Sequence, residues 1–597
     1  MTTALERILK GFVDSRSILG WWIRRALWLW LVGFQLTIAA LLNAQEGSRP
    51  LRQASDSALE LRRDTQDRPN ILLIVADDMG YSDIGCYGGE VGTPNLDALA
   101  ANGLRYTQFY NTAKCCPSRA SLLTGLHPHQ VDIGHMTFND EIDAYRGDLS
   151  PNSVTIAEAL GLAGYKSSMT GKWHVTRFVN THKHNWPLQR GFDDFYGIIT
   201  GAASYYQPRT LTRNNERIQP EGEYFITDVI TEESIRQLHD HADSRPDQPF
   251  FQYVAYTAPH WPLHAHEEDI AKYKGRFDAG WDVLRKERLQ RLVELGIIDR
   301  QWALSDRDPQ IKSWEETENK DWEVRRMEVY AAMIDRMDQG IGRIFSAVKE
   351  LGQWENTLIL FLSDNGPDTE HLRDSYIGDR VRNGKSIFGT AKNRDGRHVR
   401  YGNTPDILSG PDDSYTSYGI RWANLSNTPF RLYKRWVHEG GIATPFIVHW
   451  PNGIKDRGEL RHQPAQLPDV MATLLNVAGV DYPESYQGRI IPPLEGFSML
   501  PTFENKPHQR EVLYWEHEGN RAVRMGKWKL VSDYPGEWEL YDMEEDRTEL
   551  NNLAVKYPGV VKELNDLYFD WAERCGVMPL DQLLRLRKQR RERNATE

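Results

Sequence analysis

Cysteine is scarce in this chain of 597 residues, which contains only four. Two of them, Cys115 and Cys116, are adjacent in the stretch NTAKCCPSRASLLTGLHPHQ (111–130). A buried thiol pair, half of a disulfide framework and half of a metal site are the ordinary explanations. Four cysteines are too few for a disulfide scaffold, and no Cys-x-x-Cys zinc spacing occurs. Cys86 and Cys575 are therefore interpreted as isolated thiols, and the adjacent pair needs another explanation.

An excess of positive charge is also missing, since the formal net charge is −12 at pH 7. A general nucleic-acid binder needs a basic footprint, so we expect no nucleic acid among the partners. The shares of 40% hydrophobic and 26% charged residues are those of an ordinary globular protein. A single pocket can nevertheless be basic on an acidic protein.

One apolar stretch near the N-terminus, ALWLWLVGFQLTIAALL (26–42), follows Arg24 and Arg25. This pattern is typical of a secretory signal, and the stretch falls just short of a spanning helix. We predict that residues 1–44 are a signal peptide or an N-terminal anchor and that residues 45–68 are a polar linker. The protein is then exported, to the periplasm or outside the cell. A membrane is a partner only if the N-terminal segment stays uncleaved.

Apolar runs and helical patterns alternate along the next part of the chain. Runs that are apolar at nearly every position suit strands covered by helices on both faces. Helical patterns include residues 93–103, with Thr93 as N-cap and Pro94 in the first turn, and the longer stretch 324–352. The order predicts an α/β sandwich. The predicted strands are NILLIVA (70–76), FFQYVAY (250–256), NTLILFL (356–362) and TPFIVHW (444–450).

From about residue 505 the chain changes to short alternating segments, REVLYWEH, AVRMGKWKLV and EWELYDME. They predict a small antiparallel sheet, followed by a helix around residues 558–574. The final stretch RLRKQRRERNATE is predicted to be a frayed basic tail. We therefore divide the chain after the linker into a large α/β domain, 69–504, and a C-terminal subdomain, 505–597.

Two buried strands are predicted to end in oxygen-bearing side chains. NILLIVA runs into Asp77 and Asp78, and NTLILFL runs through Ser363 into Asp364 and Asn365. Asp and Asn are also favoured as helix caps and in turns, and for either pair alone this explanation holds in about half of such cases, because short motifs often occur by chance. Ligands of open α/β sheets bind beyond the carboxyl ends of strands, and crowded carboxylates repel without a cation. The two pairs together predict a site for Ca²⁺ or Mg²⁺ that suits zinc poorly.

Positive or proton-bearing groups are expected around the same edge, although each alone is better explained as a solvated lysine or a satisfied histidine. Together they describe a pocket for a tetrahedral oxyanion. Near Cys115, Ser118–Thr124 is predicted to start a helix, whose N-terminus attracts anions, with Arg119 one turn further on. A plain thiol there would be acidified and nucleophilic, as in phosphatases that use a cysteine. Such phosphatases need no metal, so the predicted carboxylate pairs argue against this alternative. The groups are Lys172, His174, His260, His264 and Lys434.

These residues resemble a known family. The stretch Cys115-Cys116-Pro117-Ser118-Arg119, followed by Leu123-Thr124-Gly125, is similar to the signature of the type I sulfatases, and the region around Lys434 is most similar to the arylsulfatase branch. The resemblance spans nearly the whole chain after the linker and implies an alkaline-phosphatase-like sandwich, with a large mixed, mostly parallel sheet between helices. The other matching positions, in family order, are Asp77-Asp78, Gly171-Lys172-Trp173-His174, His260, Asp364-Asn365, Lys434 and Glu439-Gly440-Gly441.

The resemblance also implies a modification and a cofactor. In this family the first cysteine of the signature, here Cys115, is oxidised to Cα-formylglycine, so a formylglycine-generating or other sulfatase-maturing enzyme becomes a partner. The hydrated aldehyde would attack the sulfur of a sulfate ester, form a covalent sulfate ester and then release sulfate. The implied ligands of Ca²⁺, with Mg²⁺ as the alternative, are Asp77, Asp78, Cys115, Asp364 and Asn365.

The remaining residues receive roles by the same resemblance. Lys172, His260 and Lys434 would bind the sulfate, and His260 or Lys434 would protonate the leaving group. Asp364 would accept the first proton, and His174 would accept the second. Arg119 would hold the diol and the metal region in place.

Two alternatives from other functional classes remain. The same architecture could hydrolyse phosphate mono- or diesters, because related folds use metals for phosphoryl transfer. The chain could also be an inactive relative that binds sulfated glycans. The substrate of an active enzyme, either a small aryl sulfate or a sulfated carbohydrate, is not readable, although residues 201–219 and 365–430 are expected to shape the pocket.

Overall fold

The apolar run NILLIVA forms a central, fully buried strand, as predicted. This strand, Asn70–Ala76, sends alternate side chains to opposite faces of its sheet. Leu72 and Ile74 pack into one apolar layer, whereas Ile71 and Leu73 pack into another. Such burial on both faces explains why the run is apolar at every position except its first.

The computed structural model describes residues 68–138 and 140–596. The predicted signal or anchor segment and the linker, except Arg68, lie outside these residues. Within them, none of the helices combines the length and apolarity needed to span a membrane.

The strands of the described residues are numbered here in chain order. They are β1 (Asn70–Ala76), β2 (Leu104–Tyr110), β3 (Lys166–Lys172), β4 (Asp194–Ile198), β5 (Leu211–Arg213), β6 (Glu216–Arg217), β7 (Phe250–Ala255), β8 (Thr357–Ser363), β9 (Arg400–Tyr401), β10 (Ser414–Tyr415), β11 (Ala443–His449), β12 (Glu459–Arg461), β13 (Ala465–Gln466), β14 (Ser485–Tyr486), β15 (Arg489–Ile490), β16 (Val512–His517), β17 (Asn520–Met525), β18 (Trp528–Ser532) and β19 (Glu539–Asp542).

The α-helices are numbered in the same way. They are α1 (Pro94–Ala101), α2 (Cys115–Thr124), α3 (Ile156–Leu162), α4 (Ile226–Ser244), α5 (Glu267–Ala271), α6 (Gly280–Glu294), α7 (Lys320–Glu350), α8 (Asp379–Arg382), α9 (Gly419–Ser426), α10 (Glu439–Ile442), α11 (Leu467–Ala478), α12 (Leu500–Phe503), α13 (Pro558–Cys575) and α14 (Leu580–Thr596).

Eleven of these strands form one mixed sheet, in the order β12-β2-β11-β8-β1-β7-β3-β4-β5-β6 with β13 paired to β2. The central strands β8, β1, β7, β3 and β4 are parallel, whereas β11 pairs antiparallel with both β2 and β8. Helices α1, α4 and α7 contribute to the apolar layer on one face, and α2, α3 and α11 contribute to the layer on the other. The predicted α/β sandwich with a large, mostly parallel sheet is confirmed.

Two predicted helices begin at slightly different residues. Helix α7 begins at Lys320, four residues before the expected start, and helix α2 begins at Cys115 rather than Ser118. Pro94 begins α1 as expected, but the Thr93 hydroxyl accepts from Gly85 N–H and donates to Asp97 instead of capping its own helix.

The small C-terminal sheet is also confirmed. Strands β16, β17, β18 and β19 form an antiparallel meander. Helix α13 covers one face through Leu564, Tyr568 and Trp571, which pack against Val523 and Leu530.

The prediction of a frayed basic tail was wrong, because residues Leu580–Thr596 form helix α14. Its stretch LLRLRKQRRER is rich in leucine, arginine, lysine, glutamine and glutamate, all good helix formers. Leu583 is buried with Ala144 and Tyr145, and Arg587 forms an ion pair with Asp140. The contacts hold the helix against the loop around residues 140–145.

A buried charge network joins the C-terminal sheet to the main sheet. Lys529 Nζ of β18 lies 2.9 Å from Glu439 Oε1 and 2.7 Å from Glu549 Oε1, and Arg547 Nε lies 2.8 Å from Glu439 Oε2. All four side chains have 0% exposure. Glu439, noted above as part of the sulfatase-like pattern, is therefore a residue that holds two sheets together.

We predict that Lys529→Met destabilises the fold by about 3–5 kcal/mol, because it leaves two buried carboxylates with one cation fewer. The free energy of unfolding is measured by denaturant titration followed through tryptophan fluorescence. Lys527→Met is the matched control, since Lys527 pairs with Asp542 at the surface. Equal unfolding midpoints for the two variants would contradict this account of the network.

Candidate active site

Four neighbouring parallel strands end at one edge of the sheet and deliver the predicted site residues. The register pairs Ala76 of β1 with Ser363 of β8, so Asp77 and Asp364 leave the sheet side by side. The Asp78 N–H donates to Asp364 Oδ1 at 3.3 Å, and Asn365 Nδ2 donates to Asp78 Oδ1 at 2.6 Å. The structure thus brings together the two strand-end pairs, which lie about 290 residues apart in the chain.

The three carboxylates are buried and crowded. Burial, opposed by Lys172 and Arg119, raises the pKa of Asp77 to about 6, and burial next to Asp77 raises that of Asp364 to about 7. Asn365 Oδ1 is buried and has no hydrogen-bond partner within residues 68–138 and 140–596. Ca²⁺ and Mg²⁺ prefer carboxylate and amide oxygens as ligands, so these residues fit a hard divalent cation.

Each carboxylate also has a buried basic partner. Lys172 Nζ lies 2.6 Å from Asp77 Oδ2, and Lys434 Nζ lies 2.7 Å from Asp78 Oδ1. The Arg119 Nε–H donates to Asp364 Oδ2 at 2.9 Å, and Arg119 Nη1 donates to the carbonyl of Lys172 at 2.9 Å. The pairing balances the charge and holds the basic groups at the sheet edge.

Cys115 occupies the first position of helix α2, with 2% of its surface exposed. A hydrogen bond with Cys116 and the positive charges of Lys172 and Lys434 lower the pKa of the Cys115 thiol well below its ordinary value, despite burial. The charge of Cys115 in turn acts on Asp77, Asp364 and Lys434. The first signature cysteine therefore lies among the strand-end residues.

The two predicted site histidines also lie at this edge. His260 Nδ1 donates to the carbonyl of Trp261 at 2.7 Å, which leaves Nε2 3.4 Å from Asp78 Oδ2. His174 is buried, its Nδ1 has no partner among the described residues, and burial lowers its pKa to about 4. A Cβ at Gly201 would lie 2.2 Å from His174 Cε1, so this ring position requires glycine opposite it.

His264, in contrast, is a packed structural residue. Its Nε2 donates to the carbonyl of Ser414 at 2.7 Å, and its Nδ1 accepts from Tyr205 N–H at 3.3 Å. Both ring nitrogens are thus occupied, which matches the ordinary explanation for a single buried histidine.

Sequence reasoning missed Asp368. Its Oδ2 lies 3.4 Å from Lys434 Nζ and accepts from Trp261 Nε1 at 2.9 Å. Lys434 lowers the pKa of Asp368 despite burial. The signal in the sequence was its position four residues after Asp364, in the loop that leaves β8.

A second group of side chains next to the site was also missed. Strand β16 ends at His517, whose two buried ring nitrogens have no hydrogen-bond partner among the described residues. The neighbouring Glu518 pairs with His135 at 3.1 Å and with Arg435 at 2.5 Å. Because Arg435 follows Lys434, the C-terminal sheet reaches the border of the site.

Several site residues have strained backbone. Asp78 (φ 67°), His174 (φ 56°) and Arg435 (φ 92°) lie in the left-handed region that non-glycine residues rarely adopt. Such strain persists only where the surrounding structure holds it, and it is concentrated at functional sites.

The fold and the site together define a class of protein. Buried carboxylates that fit a cation face lysines and histidines around a side chain at a helix N-terminus. This arrangement can hold a tetrahedral oxyanion and stabilise the charge that develops when its ester is cleaved. The protein is thus a hydrolase built on an alkaline-phosphatase-like sandwich.

Comparison with protein families agrees with this class and identifies the family. The sequence matches the family model described as Sulfatase over residues 69–480. Residues 430–569 match the model described as N-sulphoglucosamine sulphohydrolase, C-terminal. The chain belongs to the sulfatase family, whose members are sulfuric ester hydrolases.

Individual relatives support this assignment. An uncharacterized sulfatase of Schizosaccharomyces pombe is 33% identical over 546 residues, covering 86% of this chain and 94% of that protein. An arylsulfatase of Klebsiella aerogenes is 33% identical over 461 residues, covering 73% of this chain and 92% of that protein.

Solved structures share the fold. Ps i-CgsB aligns with a TM-score of 0.60 at 24% identity, covering 85% of this chain and 93% of that chain. The sulfatase PsFucS1 from Pseudoalteromonas sp. aligns with a TM-score of 0.55 at 20% identity, covering 86% of this chain and 91% of that chain.

We predict that Ca²⁺ stabilises the metal-stripped protein against heat by RT ln(1 + [Ca²⁺]/Kd), which is about 2.7 kcal/mol at a hundredfold excess over Kd. Asp364→Asn should remove most of this response, because it takes one negative charge from the proposed ligand set. Asp83→Asn is the control, since Asp83 is equally buried but pairs with Arg288. Unfolding temperatures with and without Ca²⁺ measure the effect. An unchanged response in Asp364→Asn would place the ion elsewhere.

Proposed function

We propose that this sulfatase hydrolyses sulfate monoesters, of aryl alcohols or of carbohydrates, through a formylglycine at position 115. One observation carries the proposal. The first cysteine of Cys-x-Pro-Ser-Arg begins helix α2, and Arg119 of the same signature reaches two strand-end aspartates, Asp364 at 2.9 Å and Asp77 at 3.6 Å. Oxidation of Cys115 by a sulfatase-maturing enzyme, with that enzyme's own oxidant, would replace the carbon–sulfur bond by a carbonyl and release the sulfur as hydrogen sulfide. The resulting aldehyde adds water to become a diol.

A divalent cation fits the same residues. Ca²⁺, with Mg²⁺ as the alternative, would be held by the side chain at position 115 and four strand-end residues. When bound, it would supply Lewis-acid stabilisation of negative charge on oxygen. The four strand-end residues are Asp77, Asp78, Asp364 and Asn365.

The sulfate group would be bound by Lys172, Lys434 and His260. The two ammonium groups pair with the adjacent Asp77 and Asp78, so both are held where β1 ends. Their fixed position costs no rearrangement when negative charge develops. Arg119 is tied to both Asp364 and the carbonyl of Lys172, and this supports its role in holding the region in place.

In the first half of the reaction a hydroxyl of the diol would lose its proton to Asp364, and its oxygen would bond to sulfur. The bond between sulfur and the alcohol oxygen would break, and Lys434 or His260 would protonate the departing oxygen. The sulfate is then esterified to residue 115, and the alcohol or phenol leaves.

In the second half the remaining hydroxyl would lose its proton to His174. The electron pair would form the carbonyl as the bond between carbon and the sulfate oxygen breaks, so sulfate leaves and the aldehyde returns. The Nδ1 of His174 has no hydrogen-bond partner among the described residues, and this supports the role. A single hydroxyl could accept the sulfate but could not release it in this way.

We predict that Cys115→Ala lowers kcat for p-nitrophenyl sulfate by at least about 10³, because the nucleophile is lost. Cys116→Ala is the matched control, because it removes the neighbouring thiol, which contacts His135 and Met136, and leaves position 115 unchanged. Peptide mass spectrometry of active wild-type protein should find an aldehyde at position 115. An unmodified Cys115 thiol in fully active protein would contradict the proposal, and turnover of p-nitrophenyl phosphate alone would favour phosphate esters.

We also predict that Cys115→Ser gives a single turnover and then stops, because serine can accept the sulfate but has no second hydroxyl. Intact-protein mass spectrometry after incubation with p-nitrophenyl sulfate should find one added sulfate per chain. Continued turnover by this variant would show that release does not require a diol.

A further inference from the structure

One segment of the chain is strongly basic on an otherwise acidic protein. Between Arg373 and Arg400 there are eight lysines and arginines but three aspartates, whereas the whole chain has a net charge of −12. All eight basic side chains are exposed. We call residues 373–400 the basic segment.

The basic segment belongs to the loop region that borders the candidate active site. The chain leaves β8 through Asp364 and Asn365 and returns to the site at Lys434, so the whole excursion starts and ends at the same sheet edge. Its small core packs against Trp261, the residue after His260. That core consists of Leu372, Ile377, Val381, Val399, Tyr401 and Tyr415.

Further contacts hold the segment in place. Arg209 Nη1 donates to the carbonyl of Ser386 at 3.0 Å, and Gln207 Nε2 donates to the carbonyl of Lys392 at 3.0 Å. Both donors belong to the 201–219 loop, which also carries Gly201 opposite His174. The basic surface is therefore fixed relative to the site.

The basic side chains fall into two groups. Arg382, Arg397 and Arg400 pair with nearby aspartates. The other five form no ion pair within the described part of the chain. Arg380 lies over the ring of Tyr376, and its Nη2 donates to the carbonyl of Lys385 at 3.5 Å. Five unpaired cations on one segment repel one another unless an anion lies among them. These five residues are Arg373, Arg380, Lys385, Lys392 and Arg394.

Two aromatic side chains lie exposed in the same segment. Tyr376 is 62% exposed and Phe388 is 37% exposed, although large apolar side chains are normally buried. These rings offer apolar faces to sugar rings, and the neighbouring cations offer positive charge to the acidic groups of the sugars.

We propose that the basic segment binds further anionic groups of a polyanionic sulfated glycan while one of its sulfate esters occupies the active site. The inference rests on the proposed sulfate-ester hydrolysis and names the substrate class: an acidic oligosaccharide rather than a small aryl sulfate. A small aryl sulfate carries a single anionic group, which the active site itself takes. At physiological salt the Debye length is about 8 Å, so the additional anions must lie close to the segment to gain from it.

A glycan is favoured over the other common polyanion, nucleic acid, by position. The basic segment borders a site of the sulfatase family, in which a sulfate ester and not a phosphodiester is the group cleaved. A glycan with several sulfates can present one ester to the site and the rest to the segment.

The test uses fluorescein-labelled dextran sulfate, with unsulfated dextran as the neutral probe, and the full chain. The variant Lys385→Glu/Lys392→Glu reverses two unpaired cations of the segment. The matched control, Arg585→Glu/Lys588→Glu, reverses two exposed cations of helix α14 and changes the net charge equally. Fluorescence anisotropy gives Kd at several salt concentrations, and inhibition of p-nitrophenyl sulfate turnover reports access to the site.

We expect dextran sulfate to bind the wild type and to inhibit turnover competitively, and we expect this binding to weaken as the salt concentration rises. Unsulfated dextran should neither bind nor inhibit. The segment variant should bind about tenfold more weakly, which corresponds to about 1.4 kcal/mol, and the control should stay within about twofold. Equal weakening in both variants, or none, would overturn the proposal, and so would equal affinity for poly(U) RNA. If no sulfate ester is turned over but the segment variant alone loses binding, the proposed function fails and the glycan-binding surface stands.

Discussion

The structure depends on a balance of buried charge where β1 and β8 end. Three aspartates with almost no exposure to solvent lie beside two lysines and an arginine. Burying any one of these charges alone would cost several kcal/mol, so none of the six can be there without its neighbours. Burial raises the pKa values of Asp77 and Asp364 even after this pairing, and the crowding of the neighbouring carboxylates adds to the shift. A divalent cation would relieve that crowding.

The fold creates this balance through register. Because parallel strands β8, β1, β7 and β3 are adjacent, the residues that follow them meet at one edge. The network around Glu439 fixes the C-terminal sheet to the same side, and its hairpin places Glu518 against Arg435. The excursion that contains the basic segment leaves and returns at this edge, so exposed basic side chains border the site of an acidic protein.

Much of the main sheet and of the candidate site could be predicted from the sequence. Strands such as 70–76 have a continuous apolar pattern, and the parallel-sheet rule then places Asp77 near Asp364 without further information. The cysteine signature locates position 115. Contacts that depend on distant packing could not be predicted: Glu518 meets His135 across about 380 residues, and no local pattern marks either residue. The last helix was also not predicted, because its dense positive charge is typical of a tail although its residues are good helix formers.

The central claim is that one divalent cation touches both the oxidised side chain at position 115 and the ends of β1 and β8. A crystal structure of protein matured with its modifying enzyme and grown with Ca²⁺, including anomalous diffraction data, tests this directly. We predict one anomalous peak about 2.3–2.6 Å from oxygens of Asp77, Asp78, Asp364 and Asn365 and from an oxygen on residue 115. A peak elsewhere, or an intact thiol at Cys115 in fully active crystals, would contradict the account.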